Sequence, residues 1–332
     1  MAETTGSFSR RRMITVLAAA TAGPLLSWPV AAEAPPRWIW RGTALGAPAT
    51  LILEHLDRAA AELAVAACLD EIERLEREFS LHRPDSALSR LNATGALAPS
   101  LDMLALLEAA AAVSDASHGA FDITVQPLWE LYARHFRVHP GGKEGPRDAA
   151  IAATLRRIDY RQVSLAPERI ILPGGMSITM NGIAQGYITD RVADLLRGRG
   201  WTNVMIDLGE IYALGSRADG KEWAIEIDPP SVLRAALPLL NVRDRAVATS
   251  SAAATVFEES GRHHHLFDPR TGRSACHCVQ VTVVAGRATI ADALSTALFV
   301  ARPEEREGMM QRFPGAECLV VDTNGNLTRL AG

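Results

Sequence analysis

The stretch "ATIADALSTALFV", residues 288–300, constrains this chain more than any other. It follows a β-branched run, Val279 to Ala285, so a strand is expected to lead into a helix from about Thr289 to Ala301. The helix is apolar nearly all round, yet it carries Asp292. Burying a carboxylate is costly unless it is paired or bound to a cation. Asp292 and Thr296 stand at i and i+4, with Thr289 at i−3, so the three share one face. Two readings fit. Asp292 is an acid near the first turn held by the helix dipole, or Asp292 and Thr296 are hard oxygen ligands for a magnesium ion that shares its coordination with water and phosphate.

The rest of the chain interleaves helices and strands without strict alternation. Apolar spacing predicts a long helix over Leu56–Phe79, with Leu63, Ala67, Ile72 and Leu75 on its inner face, and a second over Leu101–Ser117 closed by Gly119. Val163–Leu172 reads as two short strands and Ile183–Arg197 as a helix. Val204–Leu208 and Trp223–Ile227 read as strands, as does the ITV of residues 123–125. Cys318–Asp322 and Leu327–Leu330 form a strand pair around Thr323-Asn324-Gly325-Asn326. The pattern predicts an α+β fold of mixed sheets with packed helices, in one domain over 35–332; Gly141–Pro146 is a surface loop within it.

Export is written at the N-terminus. Ser9-Arg10-Arg11-Arg12-Met13-Ile14 precedes an apolar run to about Leu26, and Ala32-Glu33-Ala34 offers a small-residue cleavage site. Residues 1–34 therefore read as a twin-arginine signal, too short for an ordinary membrane span, which places the mature chain in the periplasm. With a net charge of −4 and its basic residues spread out, the chain has no footprint for nucleic acid. The compartment permits disulfides among Cys68, Cys276, Cys278 and Cys318, but their spacing does not decide the pairing.

Five stretches carry groups with chemical potential. FSLHRPDSALSRLN, residues 79–92, holds Arg83, which meets a phosphate or only Asp85. GAFDITVQPL holds Asp122, a turn cap or an acceptor for a ligand. SITMNGIAQGYITDR, residues 177–191, holds a G-x-x-x-G turn that suits phosphate, metal or tight packing. HHHLFDPRTG holds His265, a general base near neutral pH or an incidental loop histidine. The fifth is the helix of Asp292.

In this order the five resemble the ApbE family of FAD:protein FMN transferases, from about Gly42 to near the C-terminus. HxxDPxTG and ADAxxTA are the most specific of the motifs. The resemblance implies magnesium-dependent cleavage of FAD and transfer of FMN, through a phosphoester bond, to a Thr or Ser hydroxyl of an acceptor protein. It implies that Asp292, Thr296 and the Gly182 carbonyl bind magnesium, that Asp292 and His265 are catalytic, and that His265 is the base. Leu45, His82, Arg83, Pro84, Asp122, Gln185, His265 and Phe267 match positions around FAD. The chain departs from the family in several places. Gln185 stands where a Lys or Glu is usual, and Leu45 where a Met is usual. Thr179 and Asn181 replace commoner residues. The usual N-L-G-G-D-I stretch reads Ile206-Asp207-Leu208-Gly209-Glu210-Ile211.

MNGIAQGYITD, DLGEIYALG and HHHLFDPRTG together resemble a subgroup associated with maturation of nitrous oxide reductase. That likeness implies a membrane-bound acceptor flavoprotein with a periplasmic FMN-binding domain. Two other functions compete: a periplasmic carrier that holds FAD without cleaving it, and a copper-delivery protein using His263-His264-His265 with Cys276-His277-Cys278.

Overall fold

The computed structural model describes residues 36–44, 46–233 and 237–332. The export signal expected over 1–34, and Leu45, lie outside the described residues.

An eight-stranded sheet organises the chain. Its strands are β1 (Arg37–Ala44), β2 (Ala47–Glu54), β3 (Asn203–Asp207), β4 (Ile211–Gly215), β5 (Arg245–Ser251), β6 (Gln280–Ala285), β7 (Glu317–Val321) and β8 (Leu327–Ala331). They lie side by side in chain order. The α+β class holds, but the sheets expected to be mixed pair antiparallel throughout the described residues. The helices enter as blocks between strands, not as single crossovers that would set parallel neighbours side by side. One block separates β2 from β3: α1 (Arg58–Phe79), α2 (Ala87–Thr94), α3 (Leu101–Ala116), α4 (Gln126–Val138), α5 (Asp148–Leu155) and α6 (Ala184–Gly198). Between β6 and β7 come α7 (Ala288–Val300) and α8 (Pro303–Met310).

Alternation along the strands sorts side chains onto two buried faces. Leu51, Leu53, Val204, Ile206, Ala246, Ala248, Val281 and Val283 join the main core with the helices. Ile52, Met205, Ile211, Ala213, Val247 and Val284 pack on the other face against Trp223, Ile225 and Val242. The latter come from a small antiparallel pair, 223–225 with 240–242. Both faces are covered, which is why the strands read as continuous apolar runs. Among the described residues no helix is long and apolar enough to cross a membrane.

Two expectations fail locally. Leu63 is 70% exposed, because the buried stripe of α1 runs instead through Ala61, Ala64, Cys68, Ile72, Leu75 and Phe79. Small residues in its first turns let α1 lie close to the core, and Leu63 falls off that stripe. Residues 123–125 form a 3₁₀ turn, not a strand. The Asp122 carboxylate accepts from the Thr124 amide, and Pro127 in the first turn of α4 continues the chain as helix.

Candidate active site

α6 and α7 build one wall of the site. Gly186 on α6 meets Ala288 and Asp292, while Gly182, just before α6, meets Thr296. Residue numbers fall along one segment as they rise along the other, so the two run antiparallel. The G-x-x-x-G of residues 182–186 therefore lies in register with the D-x-x-x-T of 292–296. A Cβ at Gly186 would sit 2.2 Å from the Ala288 carbonyl oxygen, and one at Gly182 would sit 3.2 Å from Thr296 Oγ1. At Gly186 only hydrogen fits between the segments, and at Gly182 a Cβ would press on the Thr296 side chain.

Each helix caps the other. The Gly186 amide donates to Asp292 Oδ2 at 3.0 Å. Asp190 on α6 accepts from the Ala288 amide at 2.8 Å, the Thr289 amide at 2.9 Å and the Thr289 hydroxyl at 2.6 Å, with Arg287 Nε at 3.2 Å. Burial pushes the Asp190 carboxyl up, against the pull of the Thr289, Arg287 and Ala288 contacts. Thr289, expected on the Asp292 face, spends its hydroxyl on Asp190.

The mouth of this wall opens into a cavity. Gly182, Asp292 and Thr296 line it together with Thr179, Asn181, Ser250, His265, Thr255, Phe267, Trp129 and Gln126. Ser250 Oγ lies 3.2 Å from Thr296 Oγ1 and 2.8 Å from Ser295 Oγ. Asp292 is buried, 4% exposed, and lines the cavity beside Thr296, Ser250 and Gly182. A donor set of oxygens with a single carboxylate suits a hard cation that keeps further positions for water and phosphate, so the residues present fit magnesium.

His265 is aimed by its neighbours. Its amide and its Nδ1 both lie 3.1 Å from the Thr255 carbonyl oxygen. A carbonyl only accepts, so Nδ1 carries the proton and Nε2 is the basic nitrogen. Behind it, Phe257 and Phe267 pack with Tyr132 and Phe136 of α4. The adjacent His264 turns the other way. Its Nε2 lies 2.9 Å from the Ala275 carbonyl, its Nδ1 accepts from the Leu266 amide, and burial pulls it down to about 4.

A second cavity, lined by Glu76, Phe79, Arg83, Met180, Gln185 and Ile188 among others, shares His82 and Asn181 with the first. The sites expected from sequence therefore divide. His265, Phe267, Asp122, Gly182, Asp292 and Thr296 line the first cavity, Arg83 and Gln185 the second, and His82 both. Pro84 is exposed and lines neither. Arg83 Nε is 3.9 Å from Asp85, a loose pair on the surface. The Gln185 amide packs over Gly209, where a Cβ would stand 2.6 Å from Nε2.

Asp122 is turned to structure. Oδ1 accepts from the Thr124 amide and hydroxyl and Oδ2 from the Tyr160 amide at 3.1 Å, and burial pushes its carboxyl up. It ties the turn before α4 to residue 160 and so holds Gln126 and Trp129 at the cavity. Ser250, Thr255, Gln126 and Trp129 escaped notice in the sequence. Each is an ordinary residue in its own element, and only Ser250, one of two serines closing its strand, leaves a signal.

The histidine and cysteine stretches do not converge. Cys278 is buried, with its thiol pushed up to about 11 and donating to the Phe299 carbonyl, while Cys276 is exposed and His264 is committed to Ala275. Among the described residues no group of three or more His, Cys, Asp or Glu side chains is placed to hold a metal ion. The four cysteines are free.

A chain with this fold and this order of motifs has clear relatives. The chain matches the ApbE family over residues 45–320 and belongs to it. The FAD:protein FMN transferase of Treponema pallidum (strain Nichols) is 34% identical over 305 residues, covering 83% of this chain and 82% of that protein. The crystal structure of the ApbE protein of Thermotoga maritima superposes with a TM-score of 0.78 at 27% identity, covering 89% of this chain and 97% of its own. The apo flavinyl transferase ApbE of Pseudomonas stutzeri gives 0.77 at 28% identity, over 90% and 95%.

Proposed function

We propose that this protein transfers FMN from FAD to a Thr or Ser hydroxyl of an acceptor protein. The observation that carries the proposal is that a buried, amide-held Asp292 and a His265 whose Nδ1 is held by the Thr255 carbonyl line one cavity. Two cavities meeting at His82 and Asn181 suit a substrate with two ring systems joined by a pyrophosphate.

In this reading the acceptor hydroxyl attacks the phosphorus of the FMN half and loses its proton to His265 Nε2. The P–O bond to the other phosphate breaks, and AMP leaves with that bridging oxygen. Asp292, Thr296 and the Gly182 carbonyl would hold magnesium, whose charge offsets that of the pyrophosphate and of the oxygens that gain charge in transfer. The rest is done by the protein. Gly186 orients the Asp292 carboxylate, Thr255 holds the His265 proton on Nδ1, and the apolar wall of Phe121, Ile123, Leu266 and Phe267 limits water. Arg83 lies within reach of a phosphate on the rim of the second cavity, and Gln185 hydrogen-bonds a ring edge there without adding charge.

The proposed setting is the periplasm, reached through the twin-arginine pattern at Ser9–Ile14. The proposed acceptor is a membrane-bound flavoprotein with a periplasmic FMN-binding domain, of the kind that serves nitrous oxide respiration. The test combines purified protein, FAD, magnesium and such a domain. A covalently flavinylated acceptor by mass spectrometry with one AMP released per modification is expected. Bound FAD with no AMP and no modified acceptor would make the protein a carrier and reject transfer.

A further inference from the structure

The cap that α6 places on α7 reaches beyond stability. Asp190 is fully buried in the middle of α6, and its hydrogen bonds and ion pair go to the start of α7: two amides and one hydroxyl of residues 288 and 289, and the guanidinium of Arg287 just before the helix. Neither helix is capped by its own side chain, since the residues preceding α6 and α7, Ile183 and Arg287, make no side-chain cap bond. The first amides of a helix have no partner within it. Here those of α7 end on Asp190 of α6, and the Gly186 amide of α6 ends on Asp292 of α7. The two carboxylates thus lock one another's helix.

We infer that Asp190 is a positioning residue for the reaction: by pinning the first turn of α7 it sets the register that puts the Asp292 and Thr296 oxygens opposite Gly182. The geometry leaves little tolerance. A slip of one residue along α7 moves it by about 1.5 Å and turns each side chain by about 100°, which would take Asp292 away from Gly186 and Thr296 away from Gly182. Leu294, Leu298, Phe299 and Val300 pack α7 into the core, and the directional bonds to the amides at 288 and 289 fix the register of its first turn. Asp190 touches none of the cavity-lining atoms, so it acts through the helix. The inference rests on the magnesium reading of Asp292 and Thr296.

The test uses the whole protein and manganese(II), an ion of the same charge and oxygen preference, titrated in the presence of FAD and followed by electron paramagnetic resonance. Flavin transfer and melting temperature are measured alongside. Asp190→Asn keeps one acceptor oxygen and replaces the other with a donor. It is expected to weaken manganese binding by about 10- to 100-fold, the range for loss of a group that orients metal ligands, with the FAD KM unchanged. Thr289→Val, which keeps both amide bonds, should weaken binding less, and Thr289→Ser should restore it. Should Asp190→Asn not fold, the Thr289 pair carries the test. Binding lost in Asp292→Asn but unchanged in Asp190→Asn and Thr289→Val would overturn the inference while leaving the metal site intact. No binding even in the unsubstituted protein would overturn the metal reading and the inference with it.

Discussion

The Gly186 amide donates to Asp292 Oδ2 at 3.0 Å, across 106 residues of chain. This bond joins the two motifs that looked most suggestive separately, the glycine turn and the apolar helix with its single acid. It also answers what that glycine turn is for. The turn provides close packing, and the packing orients a carboxylate at the cavity.

Gly186→Ala tests the contact directly. The new Cβ would stand 2.2 Å from the Ala288 oxygen and 2.8 Å from Asp292 Cβ, both on or beside backbone that has no room to retreat. A loss of about 1–3 kcal/mol is expected from overpacking, along with reduced flavin transfer. Urea denaturation with an unchanged midpoint would show that the helices do not pack as described.

Asp292→Asn separates charge from shape. The amide oxygen still accepts from Gly186, so the melting temperature should stay near that of the unsubstituted protein. Transfer should fall by at least about 100-fold, because charge compensation at a phosphate is worth several kcal/mol. A variant that modifies acceptor at the normal rate would remove Asp292 from the chemistry.

For His265→Gln the expected loss is in turnover, by about 10²–10⁴-fold, the usual contribution of a general base. FAD binding, followed by flavin fluorescence, should be retained. Loss of binding with unchanged turnover of the bound fraction would make His265 a binding residue instead.

His264 contributes to the pH dependence of stability. Burial lowers its folded-state value from 6.5 to about 4. Between those values the unfolded chain holds a proton that the folded chain does not, so stability rises with pH there. The contribution of neutral His264 is complete above about pH 6.5 and is lost as the pH falls through 6.5 towards 4. The melting temperature should drop across that window, and His264→Gln should flatten the slope. Parallel curves for the two proteins would show that His264 is not the group responsible.

Local pattern carried much of this protein. The spacing of apolar residues located α1, α3, α6 and α7 to within a few residues, and the apolar runs at 204–208 and 279–285 located β3 and β6. Five motifs in order pointed to the family. These were legible because helix and strand periodicity and motif spacing are properties of neighbouring residues. Sequence alone also set the offset of four between Gly182 and Gly186 and between Asp292 and Thr296. That these two offsets lie against each other, antiparallel and in register, was decided only by tertiary structure. So were the inward turn of Asp122, the exposure of Leu63, the parting of Cys276 from Cys278, and Ser250 beside Thr296. Each depends on which distant backbone occupies the adjoining space, and in a close-packed interior that is settled by the packing of the whole chain and not by any one segment.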